Sequence, residues 1–160
     1  MAVVIAIETP LQDDVRNLVG QLNAYLQPLS PPEFQFKLTV EQMAGADTTV
    51  FVARDESGKA IGIGALRVHS PELGEIKRMF TDPQVRGKRV CSALLQAIIG
   101  LAREKGVATV MLETGGLAEM PEAHRLYTRS GFTPRGPFLD YPESQWSAFF
   151  EMPLQQEQLA

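Results

Sequence analysis

Apolar positions along this chain follow two rhythms, a helical one and a strictly alternating one, and their succession predicts the elements. Val3 to Ile7 is short and β-branched, the signature of a strand. Leu11, Val15, Leu18, Val19, Leu22 and Leu26 recur at helical spacing, so a helix is expected from Thr9-Pro10 through Gln27. Pro28, Pro31 and Pro32 end it in a loop, and Thr39 is placed to cap a short helix beginning at Val40. Strands over 49–54 and 60–68 flank the turn signal Asp55-Glu56-Ser57-Gly58, and a third strand over 73–81 follows Ser70-Pro71-Glu72.

A second long helix is expected over 87–105, with an apolar stripe of Val90, Ala93, Leu94, Ala97, Ile98 and Leu101 and with Gly106 just past its end. A strand over 107–113, a helix over 120–130 stopped by Gly131, and terminal strands at Phe132 and over 147–152 complete the chain. The order is β-α-βββ-α-β-α-β-β: antiparallel hairpins, then a β-α-β unit with a right-handed crossover. This is an α/β fold with a mixed sheet, expected as a single domain over residues 1–160.

Composition narrows the function. A formal net charge of −4 and a pI near 5.2 argue against nucleic acid as the main partner. Cys91 stands alone, so no intramolecular disulfide forms, and with only His69 and His124 it makes no metal-ligand cluster. No apolar run reaches membrane-spanning length, and the apolar N-terminus lacks a basic leader, so a cytoplasmic location without membrane attachment is expected.

Residues 74–91 carry the chemistry. A strand leads through Gln84-Val85-Arg86-Gly87-Lys88-Arg89 into a helix whose first N–H groups have no partner within it. Such an end attracts phosphate, and Arg86, Lys88 and Arg89 add positive charge, so the expected ligand is a phosphate or pyrophosphate. A Walker loop is absent, and Gly62-Ile63-Gly64 lacks the third glycine of a dinucleotide fingerprint.

The stretch resembles the acetyl-CoA signature of the GNAT superfamily of N-acetyltransferases, Gln/Arg-x-x-Gly-x-Gly/Ala, with Gln84 and Gly87 on its first and fourth positions. Ala123-His124-Arg125-Leu126-Tyr127, followed by Gly131-Phe132, is similar to that family's Ala-x-x-Leu-Tyr-x-x-x-Gly-Phe segment, and the order of elements agrees from near residue 3 to residue 153. Two positions depart: Arg89 replaces a small residue, and Cys91 stands where many relatives carry Gly or Ala.

The resemblance implies a mostly antiparallel sheet flanked by helices and transfer of an acetyl group from acetyl-CoA to an amine. It implies that backbone groups of Met79, Phe80 and Thr81 hold the pantetheine arm as a pseudo-strand. The segment Arg86, Gly87, Lys88, Arg89, Val90, Cys91 and Ser92 would hold the pyrophosphate. Tyr127 is the implied general acid for the leaving thiolate, with a reference pKa of about 10 against roughly 8.5 for a thiol. Glu75 resembles the glutamate base of the histone acetyltransferases in the superfamily. Strand alternation puts Glu75, Lys77 and Met79 on one face and Ile76, Arg78 and Phe80 on the other. Glu113 is the second acidic candidate, placed to line the acceptor pocket. His69 and His124 show no evident partner. Loops over 28–38 and 138–146 are expected to build the acceptor side, and the acceptor itself, a small molecule or a protein amine, stays open. So do a homodimer, another acyl-CoA donor, and a module that binds acyl-CoA without catalysis.

Overall fold

A computed structural model describes residues 2–85 and 89–154. Its elements are β1 (Val4–Ile7), α1 (Asp13–Leu26), α2 (Val40–Met43), β2 (Thr48–Arg54), β3 (Ala60–Ser70), β4 (Leu73–Thr81), α3 (Val90–Glu104), β5 (Thr109–Gly115), α4 (Pro121–Arg129), β6 (Thr133–Arg135) and β7 (Ser147–Pro153). The strands form one seven-stranded sheet in the order β1-β2-β3-β4-β5-β7-β6, antiparallel throughout except for the central β4–β5 pair.

Each face of the sheet buries its own core. α1 lays Val15, Leu18, Val19 and Leu22, one helical stripe, against Val50, Val52, Ile63 and Phe80. On the other face α3 contributes Leu94, Leu95, Ile98 and Ile99, which pack with Ile76, Leu112, Leu126 and Phe150. At the β1 end, Arg54 ties β2 to the start of α1. Its Nη2 lies 2.8 Å from Glu8 Oε1 and its Nη1 lies 2.7 Å from Asp14 Oδ2.

Several boundaries differ from the sequence expectation, each for a local reason. The first helix starts at Asp13, not at Thr9-Pro10, because Gln12 is extended. α3 runs from Val90, preceded by Arg89 in a left-handed conformation (φ 63°), and the expected start at Gly87 lies outside the described residues. β5 starts at Thr109 because Gly106 (φ 73°) and Val107 complete a Schellman turn. Val107 N–H donates to Ala102 O at 3.0 Å, and Gly106 N–H donates to Arg103 O at 3.0 Å. The short α2 has the expected cap: Thr39 Oγ1 accepts from Gln42 N–H at 3.1 Å, and the Gln42 side chain accepts from Thr39 N–H at 2.9 Å.

The largest correction concerns the faces of β4. Ile63 pairs with Phe80 but Ala65 pairs with Lys77, so two residues, Arg78 and Met79, oppose Gly64 alone. This is a β-bulge, and Arg78 within it has φ 60°. Alternation therefore breaks after Lys77. Met79 turns toward the α3 core and Phe80 toward the α1 core, while Arg78 reaches α1 at Asn23. Gly64 makes room for this: a Cβ there would lie 2.4 Å from Met79 Sδ and 2.9 Å from Ile98 Cδ1.

Candidate active site

The parallel strands β4 and β5 pair only over Leu73–Ile76 and Thr109–Leu112, and then part. β5 stays attached to β7 as far as Gly115, and β4 stays attached to β3 as far as Thr81. Between them opens a cavity of about 360 Å³. Its walls are Ile76–Thr81 on one side and Glu113–Gly115 on the other. Cys91 of α3, Tyr127 of α4, the end of α1, residues 34–37 and Trp146 close it around the rim.

Met79, Phe80 and Thr81 all lie on the cavity wall, on an edge of β4 that has no partner in β5. Beyond Ile76 this edge faces the cavity and not β5, the setting in which an extended ligand can lie along a strand. The Thr81 hydroxyl is buried and lacks a hydrogen-bond partner among the described residues. α3 begins beside this edge. Its first internal bond runs from Ala93 N–H to Arg89 O, which leaves the amides of Val90, Cys91 and Ser92 outside the helical ladder. Val90's side chain is in the core, Cys91 faces the cavity, and Arg89 is exposed. Arg86, Gly87 and Lys88 lie outside the described residues. A strand edge facing the cavity, followed by the start of a helix, fits a pantetheine arm ending in a pyrophosphate.

Tyr127 is fixed by the way α4 ends. Gly131 (φ 101°) allows a second Schellman turn, in which Phe132 N–H donates to Tyr127 O at 3.0 Å and Gly131 N–H donates to Thr128 O at 3.1 Å. That turn brings the Phe132 ring to 5.7 Å from the Tyr127 ring, and Phe150 packs at 5.9 Å. The Tyr-x-x-x-Gly-Phe spacing is thus a device for locking one ring. Tyr127 is 6% exposed, and its hydroxyl has no hydrogen-bond partner among the described residues. Burial pushes its pKa well above the ordinary value, and the neighbouring Cys91 and Glu113 add to the effect.

Glu113 stands across the gap on β5. Ser147 Oγ donates to its Oε2 at 2.8 Å. Its carboxyl is raised to about 7, by burial first and also by the Glu75 charge, against the opposing Ser147 hydrogen bond and Lys77 charge.

Glu75 is placed differently. It is 2% exposed and lies behind the cavity wall. Its Oε1 is 2.8 Å from His69 Nε2, and its Oε2 takes the Tyr141 hydroxyl and lies 3.4 Å from Lys77 Nζ. Lys77 also donates to Tyr141 Oη at 2.7 Å and to Phe36 O at 3.3 Å. His69 therefore does have a partner, as does His124, whose Nε2 is 2.8 Å from Gly115 O. Sequence reasoning marked 28–38 and 138–146 as the acceptor side, and Phe36, Lys37 and Trp146 do line the cavity. It missed the Lys77–Tyr141 link, which joins residues 64 positions apart, and Arg78, which only the bulge brings to this face.

Among the described residues no group of three or more His, Cys, Asp or Glu is placed to share a metal ion, and no helix is long and apolar enough to cross a membrane.

Residues 46–134 match the family model described as an acetyltransferase (GNAT) domain. The chain is 40% identical over 153 residues to an IAA acetyltransferase of Azospirillum brasilense, covering 95% of this chain and 98% of the relative. It is 35% identical over 142 residues to an uncharacterized N-acetyltransferase, YsnE, of Bacillus subtilis (strain 168), covering 87% and 93%. A solved Klebsiella pneumoniae structure, provisionally identified as an acyl-CoA N-acyltransferase, superposes with a TM-score of 0.80 at 30% identity, covering 96% and 98%. An aminoglycoside 6'-N-acetyltransferase solved with coenzyme A shares the fold, with a TM-score of 0.73 at 12% identity over 97% and 99%.

Proposed function

We propose, for a chain that belongs to the GNAT acetyltransferase family and is accordingly an acyltransferase, direct transfer of the acetyl group of acetyl-CoA to a primary amine. The observation that carries this reading is the cavity between the parted strands, where Glu113 and Tyr127 line one space together with Met79, Phe80 and Thr81 of β4. Acetyl-CoA supplies a thioester, an acyl group already activated toward an amine.

Glu113 is the proposed base. An alkyl ammonium has a pKa of about 10.4, and an amine attacks only when deprotonated. A carboxylate at its ordinary value of 4.5 is a poor acceptor of that proton; at about 7 it stands much closer. Glu113 is ionised from neutral pH upward, takes the proton as the amine nitrogen bonds to the carbonyl carbon, and returns it to solvent. Backbone N–H groups near Phe80 face the charge that grows on the thioester oxygen.

Tyr127 is the proposed donor to the departing sulfur. Its raised pKa keeps the hydroxyl protonated at every working pH. The same shift makes complete proton transfer to a thiolate of pKa about 8.5 unfavourable. Tyr127 therefore stabilises the sulfur chiefly by donating a hydrogen bond. Glu75 is assigned to holding Lys77 and Tyr141, since it has three partners and no place on the cavity wall.

Thiol release from acetyl-CoA across an amine panel tests the reaction. Turnover should rise with pH through about 7 and then level. Glu113→Gln should lower kcat by about 100-fold or more and remove that limb. A variant that kept the wild-type pH profile would exclude Glu113 as the base.

A further inference from the structure

Arg78 is a buried charged group on the cavity wall whose surroundings the transfer chemistry leaves unexplained. It is 7% exposed. Its Nη2 donates to Asn23 Oδ1, and among the described residues its buried Nε has no hydrogen-bond partner and no carboxylate lies within ion-pair distance. Arg54 in the same molecule shows what a structural arginine looks like here. It donates to Glu8, Asp14, Gln12 and the Gly58 carbonyl, using all three nitrogens. A guanidinium buried with a single neutral partner is costly unless something completes it.

Two further observations say where the missing partner comes from. Arg78 occupies the left-handed position of the β4 bulge, so its side chain is swung onto the acceptor side at a backbone cost that a glycine would avoid. Lys37, on the segment after α1, lines the same cavity and has its pKa lowered by burial and by the Arg78 charge, so the two cations sense each other. The charge of Lys77 is answered by Glu75, but those of Arg78 and Lys37 are not answered by any described carboxylate. The cavity is thus cationic on its β4–α1 side and carries the Glu113 carboxyl on its β5 side.

We propose that the acceptor is an amino acid or a similar amine that carries a carboxylate, with the carboxylate held by Arg78 and Lys37 and the amine directed toward Glu113. The planar fork of Arg78 is suited to a carboxylate. The proposal rests on the acetyl-transfer reading for its amine half only; the anion site stands on the Arg78 geometry.

The test compares L-alanine, L-glutamate, L-phenylalanine, β-alanine and 6-aminohexanoate with their carboxamides, by thiol release at saturating acetyl-CoA. At least one acid should exceed its amide by about 30-fold or more in kcat/KM, mainly through KM. Arg78→Met should abolish that preference and Arg78→Lys should restore part of it. Unchanged CoA affinity and cooperative melting would show that the variants are folded. Amides used as well as acids in every pair, or a preference that survives Arg78→Met, would overturn the proposal while leaving acetyl transfer intact. If no amine is acetylated, equilibrium dialysis of the same labelled acids against the CoA-loaded protein separates the two ideas. Arg78-dependent binding of an acid would keep the anion site and sink the transfer reading; no binding would overturn the anion site.

Discussion

Replacing Glu113 by Gln should make the protein less active and, above neutral pH, more stable. In the fold the carboxyl titrates near 7, against an ordinary value of 4.5. Below about 4.5 both folded and unfolded chains hold the proton, and the group does not affect stability. As pH rises from there the unfolded chain releases its proton and the folded chain keeps it, so stability falls until about pH 7 and is then flat. The separation corresponds to about 3 kcal/mol at most. Because Glu113 is only partly buried, solvent screening reduces this to about 1–2 kcal/mol. Gln is neutral in both states and can still accept from Ser147. Urea unfolding of both proteins at pH 4.5 and pH 8, followed by far-ultraviolet circular dichroism, reads the difference, and other groups cancel between them. The variant should gain about 1–2 kcal/mol relative to wild type on going from pH 4.5 to pH 8, or roughly 2–8 °C in Tm. A difference that does not change with pH, or one that favours wild type at pH 8, would refute the claim that burial of this carboxyl is maintained at the expense of stability.

Other substitutions probe separate links. Tyr127→Phe removes a hydroxyl that has no hydrogen-bond partner among the described residues, so kcat should fall by about 10-fold or more with the KM for acetyl-CoA and the Tm preserved; unchanged turnover would remove Tyr127 from the chemistry. Gly64→Ala drives a Cβ into Met79 and Ile98, and should cost about 1–3 kcal/mol in urea unfolding. A neutral result there would mean that the bulge yields freely. Thr39→Ala strips the capping box from α2 and should cost about 1 kcal/mol, measured in the same way.

Much of this was legible in the sequence because the signals are local. The α1 stripe, the Asp55–Gly58 hairpin turn and the Thr39 cap each specify their structure within a few residues. At the hairpin, Asp55 Oδ1 accepts from Ser57 N–H at 2.9 Å and Lys59 N–H at 3.1 Å, and Gly58 takes φ 86°. Tyr127 was legible for the same reason, since the glycine and phenylalanine that lock it lie four and five positions on. What was not legible depends on pairings across the chain. Glu75 reads as a base on its strand position alone, but Tyr141 and His69 close over it from distant segments. Glu113 reads from the sequence only as the second acidic candidate, and it is the packing around it that lifts its pKa.

The bulge in β4 links the two kinds of feature, and it was invisible because it is a relation between strands. Had β4 kept strict alternation, Met79 would point to the α1 side and Phe80 to the α3 side, and Arg78 would be buried in the α3 core, where no described carboxylate awaits it. One extra residue opposite Gly64 exchanges these placements. Arg78 emerges on the cavity wall, Met79 packs against the α3 core, and the strand leaves β5 just before this point. The edge proposed for a pantetheine arm and the cation proposed for an acceptor carboxylate therefore lie at the same local distortion. A change that removed the bulge would be expected to impair both substrates together, whereas Arg78→Met should impair only the acceptor, and separate measurement of the two KM values distinguishes these outcomes.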